Sequence, residues 1–257
     1  MLSQDLVSKI DTSIKYIQDI EPLALQYNDF GFYVSFSGGK DSQIIYELTK
    51  LAKVKFKGVF FPTSVDPPEL LTFIKNFYPE ILWIKPELTM YQLILKKKFL
   101  PSRRIMYCCQ VLKERALSDC VIMLGLRKEE SFNRGKRKRL NLQCINRHDR
   151  FALSPILEWS ENDVWFFIKD RNLPYCSLYD KGFKRVGCVG CPINLKSQRR
   201  ELALYPNIRK MYYNAIKKLM EVGRYENFAN PDEVLEWWTS GISQDSFFSQ
   251  KQQLSSL

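Results

Sequence analysis

The chain has 257 residues, enough for one large domain or for a core domain with a smaller appendage. Hydrophobic residues make up 45% and charged residues 26%, values typical of a soluble globular protein. The longest apolar runs, such as residues 121–124, are far shorter than the roughly 20 residues that a membrane helix needs. The first 20 residues lack the apolar core of a signal peptide, so we expect a cytoplasmic protein without a membrane partner.

The net charge and the cysteine content both point towards ligands. A charge of +11, from 39 Lys and Arg against 28 Asp and Glu, is enough to attract a polyanion such as a nucleotide or a nucleic acid. Seven cysteines in a cytosolic chain favour metal or redox chemistry over a disulfide framework. Four of them form two close pairs, Cys108-Cys109 and Cys188-Val189-Gly190-Cys191.

Hydrophobic spacing predicts alternating helices and strands in the first half of the chain. The predicted elements are a helix over residues 3–20, a strand over 31–36, a helix over 43–52, a strand over 56–61, a helix over 68–77, a strand over 81–84, a helix over 89–99 and a strand over 120–124. Because strands alternate with helices, we expect an α/β fold, a Rossmann-like (HUP-type) parallel sheet with helices on both faces.

The second half of the chain is predicted to be mainly helical. Ser160 with Asp163 forms a capping-box variant that begins a helix, and residues 174–195 are rich in turns and hold the second cysteine pair. Helices are predicted over residues 197–223 and 231–239. The Ser- and Gln-rich residues 243–257 are expected to fray.

A short glycine-containing motif stands between the first predicted strand and the following helix. Its sequence is Ser37-Gly38-Gly39-Lys40-Asp41-Ser42. The glycines allow an anion to approach the backbone closely, and the start of the helix directs N–H groups and a positive dipole end at the same point. The serine hydroxyls and Lys40 add donors and charge, and Asp41 either caps the helix or helps to hold Mg²⁺. The plain alternative is an ordinary glycine turn, and the spacing is not that of a Walker loop.

This motif resembles the SGGxDS signature of the PP-loop (adenine nucleotide α-hydrolase-like) ATP pyrophosphatases. Residues 125–134 are similar to that family's second block, G-x-R-x-x-E-S-x-x-R. The resemblance implies that the chain binds ATP with Mg²⁺ and cleaves it between the α and β phosphates, with Lys40, Asp41 and Arg127 as the catalytic residues. It also implies that the six motif residues bind the nucleotide together with Thr63, Gly125, Arg127 and Arg134. Arginine forks suit phosphate oxygens and the charge of a leaving pyrophosphate.

The two cysteine pairs lie 78 residues apart, and four thiolates suit either zinc or an iron–sulfur cluster. The pair Cys108-Cys109, with Lys113 four positions later and a distant C-x-x-C, resembles the iron–sulfur adenylyl-sulfate (APS) reductases. Residues 155–192 are similar to the C-terminal half of the phosphoadenosine-phosphosulfate (PAPS) reductase family domain, and the resemblance covers about residues 28–195. It implies a [4Fe–4S] cluster held by Cys108, Cys109, Cys188 and Cys191.

Two departures from the reductases favour ATP as the nucleotide. No cysteine follows Cys191, whereas sulfonucleotide reductases carry a catalytic cysteine in an ECGLH-type tail. The phosphate loop is intact here, whereas it is usually degenerate in those reductases. The combination is most similar to the DNA-phosphorothioation sulfur-transfer proteins, in which ATP adenylylates an oxygen and AMP then leaves as sulfur enters.

Basic residues are concentrated in residues 127–150, with a second cluster at Lys96-Lys97-Lys98 and Arg103-Arg104. These residues either follow a nucleic-acid backbone or form a mobile basic loop that closes over the nucleotide. Cys144 and Cys176 are either working thiols or spare ones, and Cys120 is predicted to be a small core residue. The single histidine, His148, is predicted to lie on the surface.

Three consecutive segments are predicted: an N-terminal helix (1–27), a PP-loop/PAPS reductase-like domain with the iron–sulfur site (28–195), and a helical extension with a frayed tail (196–257). The leading functional hypothesis is ATP cleavage coupled to sulfur transfer, with a nucleic-acid acceptor and a sulfur-donor protein as partners. A sulfonucleotide reductase that uses an external thiol is the second hypothesis. The third is a nucleotide-binding iron–sulfur subunit of a larger assembly.

Overall fold

The computed structural model describes residues 3–113, 117–130, 134, 136–145 and 148–255. The strands are β1 Phe32–Ser35, β2 Phe56–Phe60, β3 Leu82–Trp83, β4 Cys120–Met123, β5 Leu140–Ile145 and β6 His148–Leu153. The α-helices are α1 Gln4–Tyr27, α2 Lys40–Leu51, α3 Pro68–Phe77, α4 Met90–Lys97, α5 Tyr107–Leu112, α6 Glu161–Asp170, α7 Leu195–Leu204, α8 Pro206–Glu221, α9 Pro231–Ser240 and α10 Gln244–Ser255.

The chain forms two units that are each discontinuous in sequence. The first unit consists of Met1–Pro62, Pro68–Lys85 and Glu114–Gly187. The second consists of Thr63–Pro67, Pro86–Lys113 and Cys188–Leu257. This division differs from the three consecutive segments expected from the sequence. Helix α1 belongs to the first unit because Ile17 and Ala24 are buried in its core, and both cysteine pairs belong to the second unit with the C-terminal helices.

The first unit contains a sheet with the strand order β3-β2-β1-β4-β6-β5. Neighbouring strands are parallel except for β5, which runs antiparallel to β6. The predicted Rossmann-like α/β class is confirmed as a mixed, mostly parallel sheet with helices. Only residues 146 and 147 separate β5 from β6, and so short a connection permits antiparallel pairing alone. Residues 140–145, within the basic segment 127–150 singled out in the sequence, therefore form a strand at the edge of the sheet.

Alternate residues of strand β4 belong to two different apolar clusters. Val121 and Met123 of β4 belong to the larger cluster, which also receives side chains from helices α1, α2, α3 and α6. Cys120 and Ile122 belong to a smaller cluster. Cys120 is therefore a core residue, as predicted.

The second unit is built from helices around its own apolar cluster. The predicted helix over residues 197–223 is two helices, because Pro206 cannot continue α7 and instead occupies the first turn of α8. Of the residues 243–257 that were expected to fray, Gln244–Ser255 form α10 and Phe247 is buried, while residues 256 and 257 lie outside the described part of the chain. Among the described helices, none combines the length and the apolar composition needed to cross a membrane.

Candidate functional site

The glycine-containing motif lies at the carboxyl end of β1, between the strand and helix α2. Strand β1 has β2 on one side and β4 on the other, so the chain changes direction across the sheet at this point. Open α/β sheets bind ligands at such a switch point. Gly38 has a φ of +71°, and a Cβ added there would lie 2.5 Å from Leu70 Cδ1, so both conformation and space require glycine.

Hydrogen bonds within the motif fix its shape. The Ser42 hydroxyl donates to the Gly39 carbonyl at 2.8 Å and accepts from the Ser37 backbone N–H at 3.1 Å. The amide of Gln43 donates to the Gly38 carbonyl at 3.2 Å. Gly39 is the N-cap of α2 and provides no side-chain cap, so the start of the helix faces the loop without a capping group of its own.

Charged side chains are packed against the start of α2. Arg127 Nε donates to Asp41 Oδ1 at 2.7 Å, and Lys40 Nζ lies 3.4 Å from Asp41 Oδ2. Lys40 and Arg127 are only 4% and 3% exposed. Of the two roles expected for Asp41, helix capping is not found, because Gly39 is the N-cap and the carboxylate pairs with these two cations. Gly125 allows the approach, since a Cβ there would lie 2.9 Å from the carbonyl carbon of Asp41.

Glu129 holds Arg127 from the other side. Its Oε2 accepts from Arg127 Nη1 at 3.0 Å and from the backbone N–H of Glu161 at 2.8 Å, in the first turn of α6. The guanidinium thus bridges two carboxylates, which restricts its orientation. The sequence did not single out Glu129, because its partners are set by the fold.

Arg134 lies in a group of cations. It pairs with Glu130, yet burial and the neighbouring Arg185 and Arg137 lower the pKa of its guanidinium to about 10. Mutual repulsion among these groups means that a bound anion would be stabilised there. Ser131, Phe132, Asn133 and Gly135 of this predicted block lie outside the described residues.

Tyr179 closes the start of α2. Its hydroxyl accepts the backbone N–H of Lys40 at 2.9 Å, and its ring packs edge-on against Trp165 with centroids 5.1 Å apart. Burial raises the pKa of Tyr179, so the phenol is neutral at ordinary pH. The sequence placed this tyrosine only in a block of family resemblance and gave it no role.

The four cysteines of the two pairs line one cavity in the second unit. Cys108 and Cys109 come from α5, and Cys191 precedes a 3-10 turn at Pro192–Asn194. Other residues that line this cavity include Thr63, Met90, Pro101, Lys113, Pro192 and Tyr212. Among the described residues, no three Cys, His, Asp or Glu side chains are placed to hold a single metal ion.

Cys188 has polar groups close to its sulfur. Thr63 Oγ1 and Lys113 Nζ donate to its sulfur at 3.3 and 3.4 Å. Burial raises the pKa of the Cys188 thiol, while the positive charge of Lys113 opposes that rise. The structure therefore places Thr63, expected in the nucleotide site, beside a cysteine of the second unit.

A buried glutamate organises the C-x-x-C loop. Glu201 accepts the backbone N–H of Gly190 at 3.1 Å and the side-chain amide of Asn194 at 2.9 Å. Gly190 has a φ of +73°, and a Cβ there would lie 3.0 Å from Leu202. Glu201 fixes the turn that presents Cys188 and Cys191, and no local motif marks it in the sequence.

Two of the remaining candidate site residues, Arg150 and Cys176, are buried. Arg150, in the predicted basic segment, is buried and its Nη2 donates to Gln143 Oε1 at 2.7 Å, so it stabilises the β5–β6 pair. Cys176 is fully buried in the apolar cluster of the first unit, and burial raises the pKa of its thiol, which favours a core role. The side chains of Cys144 and His148 lie outside the described part of the chain.

A family model shows the family to which the chain belongs, and a sequence relative supports it. A model of the phosphoadenosine phosphosulfate reductase domain matches residues 31–194. Adenosine 5'-phosphosulfate reductase of Oceanobacillus iheyensis is 31% identical over 169 residues, which make up 60% of this chain and 68% of that protein. An uncharacterized protein of Methanocaldococcus jannaschii is 29% identical over 203 residues, or 73% of this chain and 42% of its own length. A second protein of that archaeon is matched over 55% of its length, so the chain spans about half of these two relatives.

A solved structure extends the comparison to the fold. Candida glabrata FMN adenylyltransferase in complex with ATP superposes with a TM-score of 0.52 at 22% identity, covering 72% of this chain and 61% of the other. The region matched by the family model includes the glycine-containing motif, Arg127, Arg134 and all four paired cysteines. The chain belongs to the phosphoadenosine phosphosulfate reductase family.

Proposed function

We propose that the chain binds ATP with Mg²⁺ at the Ser37–Ser42 loop, cleaves the bond between the α and β phosphates, and couples adenylylation of an acceptor to sulfur transfer. The observation that carries the proposal is the ion-pair cluster at the start of α2, in which the buried Lys40 and Arg127 both contact the partly buried Asp41. Cations held this firmly beside a helix N-terminus suit a polyphosphate, whose negative charge the helix dipole also stabilises.

The cations of the first unit would have different roles in the reaction. Lys40 and the N-terminus of α2 would bind the phosphates, and Arg127 would stabilise the charge that develops on the leaving pyrophosphate. Glu129 keeps Arg127 oriented for this role through its 3.0 Å contact. Besides burial, Arg185, Arg137 and Arg127 all lower the pKa of the Arg134 guanidinium, which supports a ligand that brings negative charge to this group.

Asp41 is the carboxylate that would take part in holding Mg²⁺, because oxygen ligands suit this ion. In the structure both of its oxygens contact cations, Arg127 and Lys40. Binding of ATP would give these cations phosphate oxygens as new partners and leave the carboxylate available for the metal.

The cysteine cavity of the second unit suits an iron–sulfur cluster. Cys108, Cys109, Cys188 and Cys191 supply four thiols around one cavity, and such a donor set is typical of [4Fe–4S] centres. Lys113 would offset part of the negative charge of the thiolates. When bound, the cluster would supply electron exchange or a sulfur-handling centre.

A nucleic acid is the acceptor that we propose. Lys138 and Arg185 are exposed cations of the first unit, and Arg185 belongs to the group that lowers the pKa of Arg134. A phosphodiester backbone would bring negative charge to such a group. A sulfur-donor protein would complete the reaction, because the proposed chemistry consumes sulfur that the chain itself does not supply.

Two other functions remain candidates. The 31% identity to an adenosine 5'-phosphosulfate reductase favours sulfonucleotide reduction with an external thiol. A nucleotide-binding iron–sulfur subunit of a larger assembly would use the same two sites without catalysis.

Release of pyrophosphate from ATP, measured with and without added nucleic acid, tests the proposal. We expect release that depends on nucleic acid and is lost in Lys40→Ala. Lys50→Ala is the matched control, because Lys50 lies on the same helix but is exposed. Sulfite release from adenylyl sulfate would instead support the reductase, and tight ATP binding with neither product would support the subunit.

A further inference from the structure

One exposed arginine of the first unit, Arg185, lies beside the glycine-containing motif. Its two chain neighbours, Lys184 and Val186, both approach the motif through their backbone carbonyls. The Lys184 carbonyl accepts from Lys40 Nζ at 3.4 Å. The Val186 carbonyl lies 3.7 Å from the position that a Cβ on Gly39 would occupy. The backbone of Arg185 is therefore held against the residues that begin α2.

The side chain of Arg185 differs from that of Val186 in its surroundings. Val186 is buried in the apolar cluster of the first unit, whereas Arg185 is exposed. Across the described ranges of the chain, no carboxylate forms an ion pair with Arg185. Its positive charge is therefore available to a ligand that binds at the motif.

Two other groups near the start of α2 are affected by the charge of Arg185. Burial and then Arg185 lower the pKa of the Arg134 guanidinium. Burial raises the pKa of Tyr179, and Arg185 is one of the groups that oppose this rise. Because the Tyr179 hydroxyl accepts the backbone N–H of Lys40 at 2.9 Å, these effects agree with the position of Arg185 given by its neighbours.

The cations that contact the motif directly are already balanced by acids. Lys40 and Arg127 both pair with Asp41. Arg127 also pairs with Glu129. Two cations thus face two carboxylates, so this group brings little net charge to a ligand. Arg185 adds a positive charge that these carboxylates do not offset.

A triphosphate needs more cationic partners than the start of one helix provides. The N–H groups at the beginning of a helix converge on one anionic group, so the other phosphates of a bound ATP extend beyond the loop. The fork of an arginine can bind two oxygens of such a phosphate at once. Arg185 is held beside the loop and carries an unmatched charge, which suits it to this contact.

We propose that Arg185 binds the terminal phosphate of ATP and so determines the preference of the site for a triphosphate over a sulfonucleotide. The proposal rests on the proposed function, in which ATP is the nucleotide. It adds a residue that neither the glycine-containing motif nor residues 125–134 include. Adenylyl sulfate has no third acidic group, so it gains less from this arginine, and the difference between the two contacts is the specificity.

A nucleic acid is the alternative ligand of Arg185. A phosphodiester backbone attracts exposed cations wherever they stand on a surface. The contacts of Lys184 and Val186 instead give Arg185 a fixed place relative to α2, which favours the nucleotide. A nucleic-acid acceptor would then meet the remaining exposed cations of the first unit, such as Lys138.

Dissociation constants for ATP, AMP and adenylyl sulfate, measured by titration calorimetry with Mg²⁺ and without acceptor, test the proposal. We expect the unchanged protein to bind ATP at least about tenfold more tightly than the other two nucleotides. Arg185→Gln should lose at least about tenfold in affinity for ATP and less than about twofold for AMP and adenylyl sulfate. Arg185→Lys should keep part of the preference, because it retains the charge and loses the fork.

Lys50→Gln is the matched control, since Lys50 is an exposed cation in the last turn of the same helix α2. This variant should bind all three nucleotides as the unchanged protein does. The proposal is overturned if the unchanged protein has no preference for ATP, or if the preference survives in Arg185→Gln. Equal losses for all three nucleotides would also overturn it, because a purely structural residue would cause them. So would a loss of affinity for a single-stranded oligonucleotide alone.

Pyrophosphate release from ATP, measured on the same preparations, separates this proposal from the proposed function. A preference for ATP that depends on Arg185, in a protein that releases no pyrophosphate, would support the role of the arginine and contradict the cleavage of ATP. Pyrophosphate release by the unchanged protein, with full ATP affinity in Arg185→Gln, would support the cleavage and overturn the role of the arginine.

Discussion

The backbone N–H of Lys40 donates to the hydroxyl of Tyr179 at 2.9 Å, which joins the start of α2 to a residue 139 positions away. The phenol uses its oxygen as the acceptor and keeps its own proton for donation. Trp165 holds the ring in place from the edge. A phosphate oxygen bound at the start of α2 would therefore find a neutral, oriented donor in Tyr179.

Tyr179→Phe should lower the affinity for ATP about fivefold, because one hydrogen bond contributes about 1 kcal/mol. Titration calorimetry with ATP measures the change. Tyr175→Phe is the control, since its exposed hydroxyl bonds to Asp180 instead of the helix. Tighter ATP binding by Tyr179→Phe would mean that the tyrosine competes with the phosphate for the Lys40 N–H.

Gly38→Ala should destabilise the first unit, because its backbone has a positive φ and the new Cβ would meet Leu70 at 2.5 Å. We expect a loss of about 1–3 kcal/mol in the free energy of unfolding, measured with urea. Gly39→Ala is the matched control. Its φ is −81° and its Cβ would make ordinary contacts at 3.4 Å, so its stability should change much less. Equal losses in the two variants would contradict the role given to the Gly38 conformation.

Cys188→Ala should yield colourless protein with little iron after anaerobic purification, because one of the four proposed cluster ligands is lost. Iron analysis and visible absorbance measure the result. Cys176→Ala removes a buried thiol of the first unit and should retain both colour and iron. Brown, iron-loaded Cys188→Ala protein would refute the cluster assignment.

Asp163→Asn should make stability less dependent on pH. Burial opposes ionisation of Asp163, but the Ser160 backbone N–H and Lys9 outweigh it and lower the pKa of the carboxyl below its usual 3.8. A lowered folded-state pKa adds stability above the unfolded value, and this contribution is lost as pH falls through the folded value.

The unchanged protein should therefore exceed Asp163→Asn in stability by about 1 kcal/mol near neutral pH, mainly through the helix cap and the Lys9 contact at 2.9 Å. The difference should vanish well below the usual pKa of the carboxyl. Urea unfolding at the two pH values measures it. If the difference in the free energy of unfolding persists in strong acid, it comes from the shape of the two side chains and not from their charge.

Local patterns explain what could be predicted from the sequence. The motif from Ser37 to Ser42 follows a buried strand and begins a helix, and each of these features depends on neighbouring residues. Helix α3 has its predicted bounds, and the Ser160–Asp163 capping box is present at α6. The cysteine pairs were recognised because their spacing is itself a short-range signal.

Features that depend on distant partners escaped prediction. Tyr179 and Glu201 gain their roles from residues brought near by folding, and no local pattern assigns a role to either of them. Thr63 lies shortly after strand β2, a position typical of ligand-binding residues. Its hydroxyl nevertheless contacts Cys188, which is 125 positions away. The end of the chain is polar and was expected to fray, but the pairing of Phe247 with Phe228 in the core gives α10 a reason to form.

The three-segment construction of the second unit has a consequence for biosynthesis. Thr63 and the first cysteine pair leave the ribosome long before the second pair and the helices that pack beside it. Since chains emerge from the N-terminus, Cys108 and Cys109 remain open thiols until residues 188–191 have also been synthesised. Insertion of the proposed cluster would then be a late event in maturation, and a translation product truncated before residue 188 would present an incomplete thiol set to the cell.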